Sequence, residues 1–154
     1  MTATRAEISA SFRDRGLRCT SQRYAILQCL LKRPCHPTAE EIHGVVNRHD
    51  PRVSRATVYN SLHALVQSGL VREVKLGADA TRFEAHIESH HHFVCDHCGA
   101  IEDIAWFEPG EITRRAGLNP RSIRAIVLQG LCEPCLARQK SLRSNNCLPN
   151  PNAR

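Results

Sequence analysis

A dense run of metal-binding side chains lies at residues 88–104 of the chain, ESHHHFVCDHCGAIEDI. It contains four histidines, two cysteines and four carboxylates. Imidazole, thiolate and carboxylate are the side-chain ligands that proteins offer to transition metals. The run could therefore form one metal site, two metal sites, or a polar loop that binds no ion.

The cysteines of this run have a counterpart further along the chain. Cys95 and Cys98 form a C-x2-C motif, and Cys132 and Cys135 form a second one after 33 intervening residues. Each motif places two thiolates on one tight turn, and two such turns supply the four ligands of a closed tetrahedral zinc site. Free thiols are the alternative, but paired motifs favour structural zinc. The remaining cysteines, expected to be plain thiols, are Cys19, Cys29, Cys35 and Cys147.

The histidines indicate a second site with different chemistry. If residues 90–95 form a strand, their side chains alternate, so His90 and His92 share one face and His91 takes the other. We expect His91 and His97 to be bystanders. An H-x-H pair chelates one ion when other elements add ligands, and the available donors are His36, Glu84 and Asp103. Three imidazoles and two carboxylates suit Fe(II) or Mn(II) better than a thiol-preferring zinc site.

Helices and a hairpin in the first half must position part of this set. Apolar spacing and capping residues predict helices at 5–15, 21–33, 38–48 and 54–70. Leu31 falls at the apolar spacing of the second helix, Thr38 and Ser54 cap the third and fourth, and Gly69 ends the fourth. Two short strands, 70–76 and 81–87, follow with a turn between them at 77–80. The predicted core stripe of the last helix is Val58, Leu62, Leu65 and Val66. Helices followed by a two-stranded hairpin are typical of a winged helix-turn-helix domain, which binds double-stranded DNA.

The distribution of charge supports a DNA partner for the first half. Residues 1–84 contain 13 Lys/Arg and 8 Asp/Glu, whereas residues 85–154 contain 8 and 7. A basic surface favours a polyanion, although a solvated helix face is the alternative for any single residue. The candidate DNA-binding residues are Arg18, Arg23, Arg55, Thr57, Tyr59, Asn60 and Lys75.

The second half is predicted to be a small α/β unit around the zinc site. Residues 100–107 and 122–130 are typical of strands, and residues 109–117 of a short helix. The polar tail from about residue 141 is expected to be disordered. We find no run of about 18 apolar residues and no apolar signal-peptide core, and eight cysteines then favour a reducing compartment. The sequence therefore predicts an α+β protein of the cytoplasm that does not span a membrane.

Over roughly residues 5–140 the chain resembles the ferric uptake regulator (Fur) superfamily of metal-dependent bacterial repressors. The matching segments are GLRCTSQRYAIL, HPTAEEIH, SRATVYNSLHAL, SGLVREV, TRFE, HHHFVCDHCG and GLCEPC. The resemblance implies a homodimer that binds a pseudo-palindromic operator when metal is present. Each protomer would have a winged-helix domain at 1–84, a hinge near 82–88 and a dimerisation and metal-binding domain at 89–140.

The resemblance also implies roles for the two ligand sets. Cys95, Cys98, Cys132 and Cys135 match the structural zinc ligands of the family, and the regulatory metal site matches His36, Glu84, His90, His92 and Asp103. A third site found in some members is expected to be absent, because Ser89, His91 and Arg124 stand where its ligands would be. Ala85 stands where zinc-sensing members tend to place a cysteine, which disfavours zinc as the sensed metal.

Individual residues point to different branches of the family. Asp103 and the Tyr59–Asn60 pair resemble the peroxide-responsive PerR branch, in which Fe(II)-catalysed oxidation of a histidine ligand, here His36 or His90, releases DNA. Glu84 resembles the iron-responsive Fur branch instead. We therefore expect a peroxide-sensing repressor, with an iron-responsive or other metal-responsive repressor as the alternative. A zinc enzyme is a remote alternative, because four thiolates leave no open position for a substrate water.

Overall fold

The computed structural model describes residues 3–32, 36–76, 80–117, 123 and 125–145. The chain divides into two compact units, an N-terminal unit of residues 1–88 and a C-terminal unit of residues 89–154.

Four helices build most of the N-terminal unit: α1 (Arg5–Asp14), α2 (Ser21–Lys32), α3 (Ala39–His49) and α4 (Arg55–Gln67). The predicted helices are confirmed with ends shifted by up to three residues. Thr38 caps α3, and the backbone N–H of Glu41 donates to its hydroxyl while the Glu41 carboxylate accepts from the Thr38 N–H. Such a capping box satisfies two N–H groups that a helix start leaves without partners.

Helix α4 ends through a glycine, as the sequence predicts. Gly69 has a φ of +70°, a left-handed conformation that suits glycine. Its N–H donates to the carbonyl of Val66 at 2.9 Å, and the N–H of Leu70 donates to that of Leu65 at 3.0 Å. These bonds turn the chain from the helix towards the hairpin.

The core of the N-terminal unit contains most of the predicted apolar stripe. Val58, Leu62 and Leu65 are buried, whereas Val66 is half-buried against the same cluster. Leu31, predicted to belong to the apolar face of α2, is exposed instead. The other buried members of this core are Ile8, Phe12, Ile26, Leu27, Leu30, Ala39, Ile42, Val46, Val53, Leu70, Val71 and Phe83.

A two-stranded antiparallel hairpin completes the winged helix-turn-helix fold. Its strands, β1 (Arg72–Val74) and β2 (Arg82–Glu84), are shorter than predicted, and residues 77–79 of the turn lie outside the described residues. The register pairs Arg72 with Glu84. The N–H of Phe83 donates to the carbonyl of Pro37 at 2.9 Å, which fixes the chain before α3 against β2.

The described residues of the C-terminal unit form a three-stranded sheet and two helices. Strands β3 (His90–Cys95), β4 (Ile101–Ala105) and β5 (Val127–Gly130) lie in the order β4-β3-β5. Strand β3 is antiparallel to β4 and parallel to β5. The helices are α5 (Gly110–Arg115) and α6 (Glu133–Asn145). The strand at 90–95 is therefore confirmed at its predicted bounds.

Helix α6 corrects one expectation. The tail predicted to be disordered from about residue 141 is helical as far as Asn145, and residues 146–154 lie outside the described part. Arg124, Cys35 and Cys147 also lie outside it. Among the described residues, no helix has the length and apolar character needed to cross a membrane.

Candidate metal centres

The four paired cysteines form a compact cluster within the C-terminal unit. Their sulfur atoms all lie within 4.8 Å of one another, and the Sγ atoms of Cys98 and Cys132 are 3.7 Å apart. A zinc ion bound at 2.3 Å by four sulfurs would place the sulfurs about 3.8 Å apart. The sulfur spacing is therefore close to that of a tetrahedral zinc site.

Local backbone structure brings these thiols together. Cys95 ends β3, and the turn that carries Cys98 closes through a bond from the Gly99 N–H to the Cys95 carbonyl at 2.9 Å. Cys132 follows β5, and Cys135 lies in the first turn of α6. Because β5 runs parallel to β3, both C-x2-C motifs come to the same end of the sheet.

The pKa values of Cys95 and Cys135 are shifted in opposite directions by their surroundings. Backbone N–H groups of Cys132 and Cys98 point at the sulfur of Cys95 and lower the pKa of this thiol to about 6. The neighbouring Cys132 sulfur, together with burial, raises the pKa of Cys135 to about 12. A thiolate at Cys135 is therefore strongly disfavoured unless a cation lies beside it.

The second group of ligands in the C-terminal unit lies on β3 and β4. The Nε2 atoms of His90 and His92 are 3.0 Å apart on one face of β3, and both imidazoles are buried. The strand register places Asp103 opposite His92, and its Oδ1 lies 3.7 Å from Nε2 of His90 and 4.0 Å from Nε2 of His92. Adjacent ligands of a six-coordinate ion with bonds of about 2.1 Å are about 3.0 Å apart, so the histidine pair fits one edge of such a site.

A third group lies in the N-terminal unit, where α3 begins. Nε2 of His36 is 2.8 Å from Oε2 of Glu84, and both side chains are buried. His36 has a φ of +42°, an uncommon value for a residue other than glycine. The guanidinium of Arg82 donates to the His36 carbonyl at 3.0 Å, which stabilises this backbone conformation. Strained backbone held by its surroundings is frequent at functional sites.

His91 has a structural role, although the sequence predicted that it would be a bystander. Its imidazole is fully buried on the opposite face of β3 from the histidine pair. Nε2 lies 3.0 Å from the carbonyl of Phe107, and Nδ1 accepts the N–H of Ile126 at 3.1 Å. The ring also stacks on Trp106 with centroids 4.7 Å apart. His91 therefore joins the segments that flank β3, whereas His97, also expected to be a bystander, is exposed.

Comparison with known proteins agrees with this combination of fold and ligands. Residues 14–116, more than half of the chain, match the model of the Ferric uptake regulator family. The chain belongs to the ferric uptake regulator family. This family consists of metal-responsive transcription regulators, and the assignment confirms the resemblance seen in the sequence motifs.

Proteins similar to this chain include peroxide-responsive repressors and ferric uptake regulators. The peroxide-responsive repressor PerR of Staphylococcus aureus is 39% identical over 110 residues, which cover 71% of this chain and 74% of the relative. The peroxide stress regulator of Campylobacter jejuni has a similar structure, with a TM-score of 0.60, 26% identity and coverage of 83% of this chain and 96% of that one. The ferric uptake regulator Fur of Helicobacter pylori shares the fold at a TM-score of 0.67, with 23% identity and coverage of 88% and 95%.

The residues of this chain that are predicted to bind DNA lie on the surface of the N-terminal unit. Some of them form hydrogen bonds or ion pairs with neighbouring residues. Tyr59 and Asn60 are exposed on α4. Arg55, at the start of α4, forms an ion pair with Glu40 at 3.0 Å. The Thr57 hydroxyl lies 2.9 Å from that of Ser54, which caps the helix.

The remaining predicted contacts lie outside α4. Arg18 and Lys75 are exposed, and the half-buried Arg23 donates to the carbonyl of Arg18 at 3.0 Å. Arg23 therefore fixes the chain that precedes α2, in addition to any contact with a phosphate.

Proposed function

We propose that this chain is a metal-dependent DNA-binding transcriptional repressor with a structural zinc and a separate regulatory ion. The observation that carries the proposal is the presence of two chemically distinct ligand groups in a chain with a winged helix-turn-helix unit. The C-terminal unit contains a group of four thiols and, apart from it, His90, His92 and Asp103, whereas the N-terminal unit contains the pair of His36 and Glu84. Outside the four thiols, these groups offer only imidazoles and carboxylates. Different ligand types select different metals, so the two ions can serve separate purposes.

The structural ion is proposed to be zinc held by Cys95, Cys98, Cys132 and Cys135. The core of the C-terminal unit supports this role, because among the described residues its buried apolar cluster consists of Cys95, Cys132 and Cys135, with Phe93 and Leu131 packed against it. A core this small contributes little hydrophobic stabilisation. A zinc ion that crosslinks β3, the turn after it and α6 would supply the missing stability.

The regulatory ion is proposed to be Fe(II) or Mn(II), bound by His36 and Glu84 of the N-terminal unit together with His90, His92 and Asp103 of the C-terminal unit. The absence of thiolates from this set favours these harder ions over zinc. Ligands contributed by two units allow the ion to stabilise one arrangement of the units over others. The ion can shift that equilibrium only by its preference for one arrangement, and couplings of about 1–3 kcal/mol are typical.

The DNA partner is proposed to be a pseudo-palindromic duplex bound by a homodimer in the cytoplasm. Helix α4 would enter the major groove, where Arg55 and Asn60 can bond to base edges and Tyr59 can contact a phosphate or a thymine methyl. Exposed apolar side chains on the C-terminal unit support dimerisation, since exposed apolar surface marks protein contacts. These exposed side chains are Trp106, Phe107, Ile112, Val127, Leu128 and Leu136.

The proposed signal is hydrogen peroxide. His36 and His90 would hold the ion, and Fe(II) would supply redox chemistry towards peroxide when bound. In the net reaction, one hydrogen peroxide molecule would transfer one oxygen atom to the imidazole of His36 or His90 and leave as water, and the oxidised ligand would release the ion. Asp103, Asn60 and the 39% identity to a peroxide-responsive repressor support this signal. Glu84 favours the alternative, an iron-responsive repressor that does not sense peroxide.

Peroxide treatment of the Fe(II)-loaded protein tests the proposed signal. We expect mass spectrometry to find a peptide containing His36 or His90 that is heavier by one oxygen, together with loss of binding to DNA from upstream of the protein's own coding sequence. The Mn(II)-loaded protein is the matched control and should show neither change. Intact DNA binding without an oxygen adduct would favour the iron-responsive alternative. DNA affinity that is the same with Fe(II), with Mn(II) and without metal would refute the proposed metal-dependent repressor.

A further inference from the structure

The guanidinium of Arg72 connects a candidate metal ligand to the segment that leads out of the N-terminal unit. Arg72 lies on β1 directly opposite Glu84 on β2. Its Nε donates to Oε1 of Glu84 at 2.5 Å, and its Nη2 also contacts this oxygen. Nη2 further donates to the carbonyls of His86 and Glu88, at 3.5 Å each.

This contact pattern depends on the geometry of arginine. A guanidinium has five N–H donors in a rigid planar fork, so one side chain can bind a carboxylate and two carbonyls together. A lysine ammonium carries the same charge on a flexible stem and does not reproduce the fork. The Arg72 side chain is about one third exposed, whereas that of Glu84 is buried.

The two oxygens of Glu84 have different partners. Oε1 faces Arg72, whereas Oε2 lies 2.8 Å from Nε2 of His36. A carboxylate held in this way offers Oε2 to an ion in a fixed direction. Partners that orient metal ligands typically change metal affinity or activity by about 10–100-fold when removed.

The segment after Glu84 is short and irregular. Residues 85–89 separate β2 from β3 and form neither helix nor strand. The carbonyl contacts from Arg72 restrain the backbone of this segment. The planar guanidinium of Arg72 therefore links the position of the Glu84 carboxylate to the carbonyls of His86 and Glu88.

We propose that Arg72 is a positioning residue that couples the regulatory ion at Glu84 to the conformation of residues 85–88, and thereby to DNA affinity. The inference rests on the proposed metal-dependent DNA binding and identifies the side chain through which that dependence passes. Arg72 does not bind the ion. Its guanidinium holds the ligand and the connecting segment in one arrangement.

Arg72→Lys tests the coupling because it keeps the charge and removes the fork. The ratio of DNA dissociation constants without and with saturating Mn(II) would be measured by fluorescence anisotropy on the duplex described above. Saturation would be verified from the electron paramagnetic resonance signal of free Mn(II). We expect the ratio to fall about tenfold in the variant, or to unity if the wild-type effect is smaller. DNA affinity in the absence of Mn(II) should stay within about twofold.

Arg115→Gln is the matched control, because Arg115 forms an exposed ion pair with Glu111 on α5. It should retain the wild-type ratio. An unchanged ratio in Arg72→Lys at saturating Mn(II) overturns the inference. A variant that no concentration of Mn(II) saturates also overturns it, because Arg72 would then serve metal binding alone. A wild-type protein with no Mn(II) effect would refute the proposed function instead.

Discussion

Replacing His91 with alanine should strongly destabilise the C-terminal unit. The substitution removes the bonds to the Phe107 carbonyl and from the Ile126 N–H, worth together about 1–3 kcal/mol. Loss of the stacked contact with Trp106 adds about 1 kcal/mol. The imidazole is fully buried, so its removal also leaves a cavity. We therefore expect a loss of about 3 kcal/mol.

The chain contains a single tryptophan, Trp106, and it lies against His91, so its fluorescence follows unfolding of this unit. Urea titration of the zinc-loaded protein should show a midpoint lowered by about 1–3 M, given typical slopes of 1–3 kcal/mol per M. His97→Ala removes an exposed histidine of the same run and should leave the midpoint unchanged. His91→Phe keeps an aromatic ring without the bonds and should lie between the two. A His91→Ala midpoint within about 0.3 M of that of His97→Ala would refute the structural role.

Three further changes test the local structure. Cys98→Ser should lower the zinc content measured by plasma mass spectrometry well below one ion per chain, because it removes one of four thiolates. Gly69→Ala should cost about 1–2 kcal/mol in urea unfolding followed by circular dichroism, because the residue has a φ of +70°. Gly44→Ala, within α3 and with nothing near the added carbon, should instead be neutral or stabilising by up to about 1 kcal/mol. Because the pKa of Cys95 is about 6 and that of Cys135 about 12, zinc binding at pH 7.5 should displace a proton from Cys135 but not from Cys95. Calorimetry in buffers of different ionisation enthalpy should therefore show one additional proton released below pH 6, with weaker zinc binding there; constant proton release between pH 5 and 8 would contradict this.

Local sequence signals were sufficient to predict most of the fold. Thr38 and Ser54 cap helices as expected, and Gly69 ends α4, because each effect depends on bonds within a few residues. Helix α6 was not predicted, because its residues have no apolar face to produce a helical pattern. Leu31 fits the helical spacing but is exposed, since spacing alone does not determine the limits of the buried face.

Ligand chemistry was easier to predict than the contacts that support it. Paired C-x2-C spacing was enough to predict the cluster of four thiols, and strand alternation placed His90 and His92 on one face. The roles of His91 and Arg72 depend on which carbonyls and N–H groups the folded backbone places beside them. No local sequence pattern carries that information.

The chain is proposed to hold two ions with different purposes, and metal analysis of the purified protein determines whether it does. After dialysis against EDTA, one zinc per chain should remain, and a second site should take up and release Mn(II) or Fe(II) reversibly. Cys98→Ser should lose the retained zinc, whereas His92→Ala should lose only the exchangeable ion. A protein that holds one class of ion, or whose zinc is unaffected by Cys98→Ser, would contradict the account.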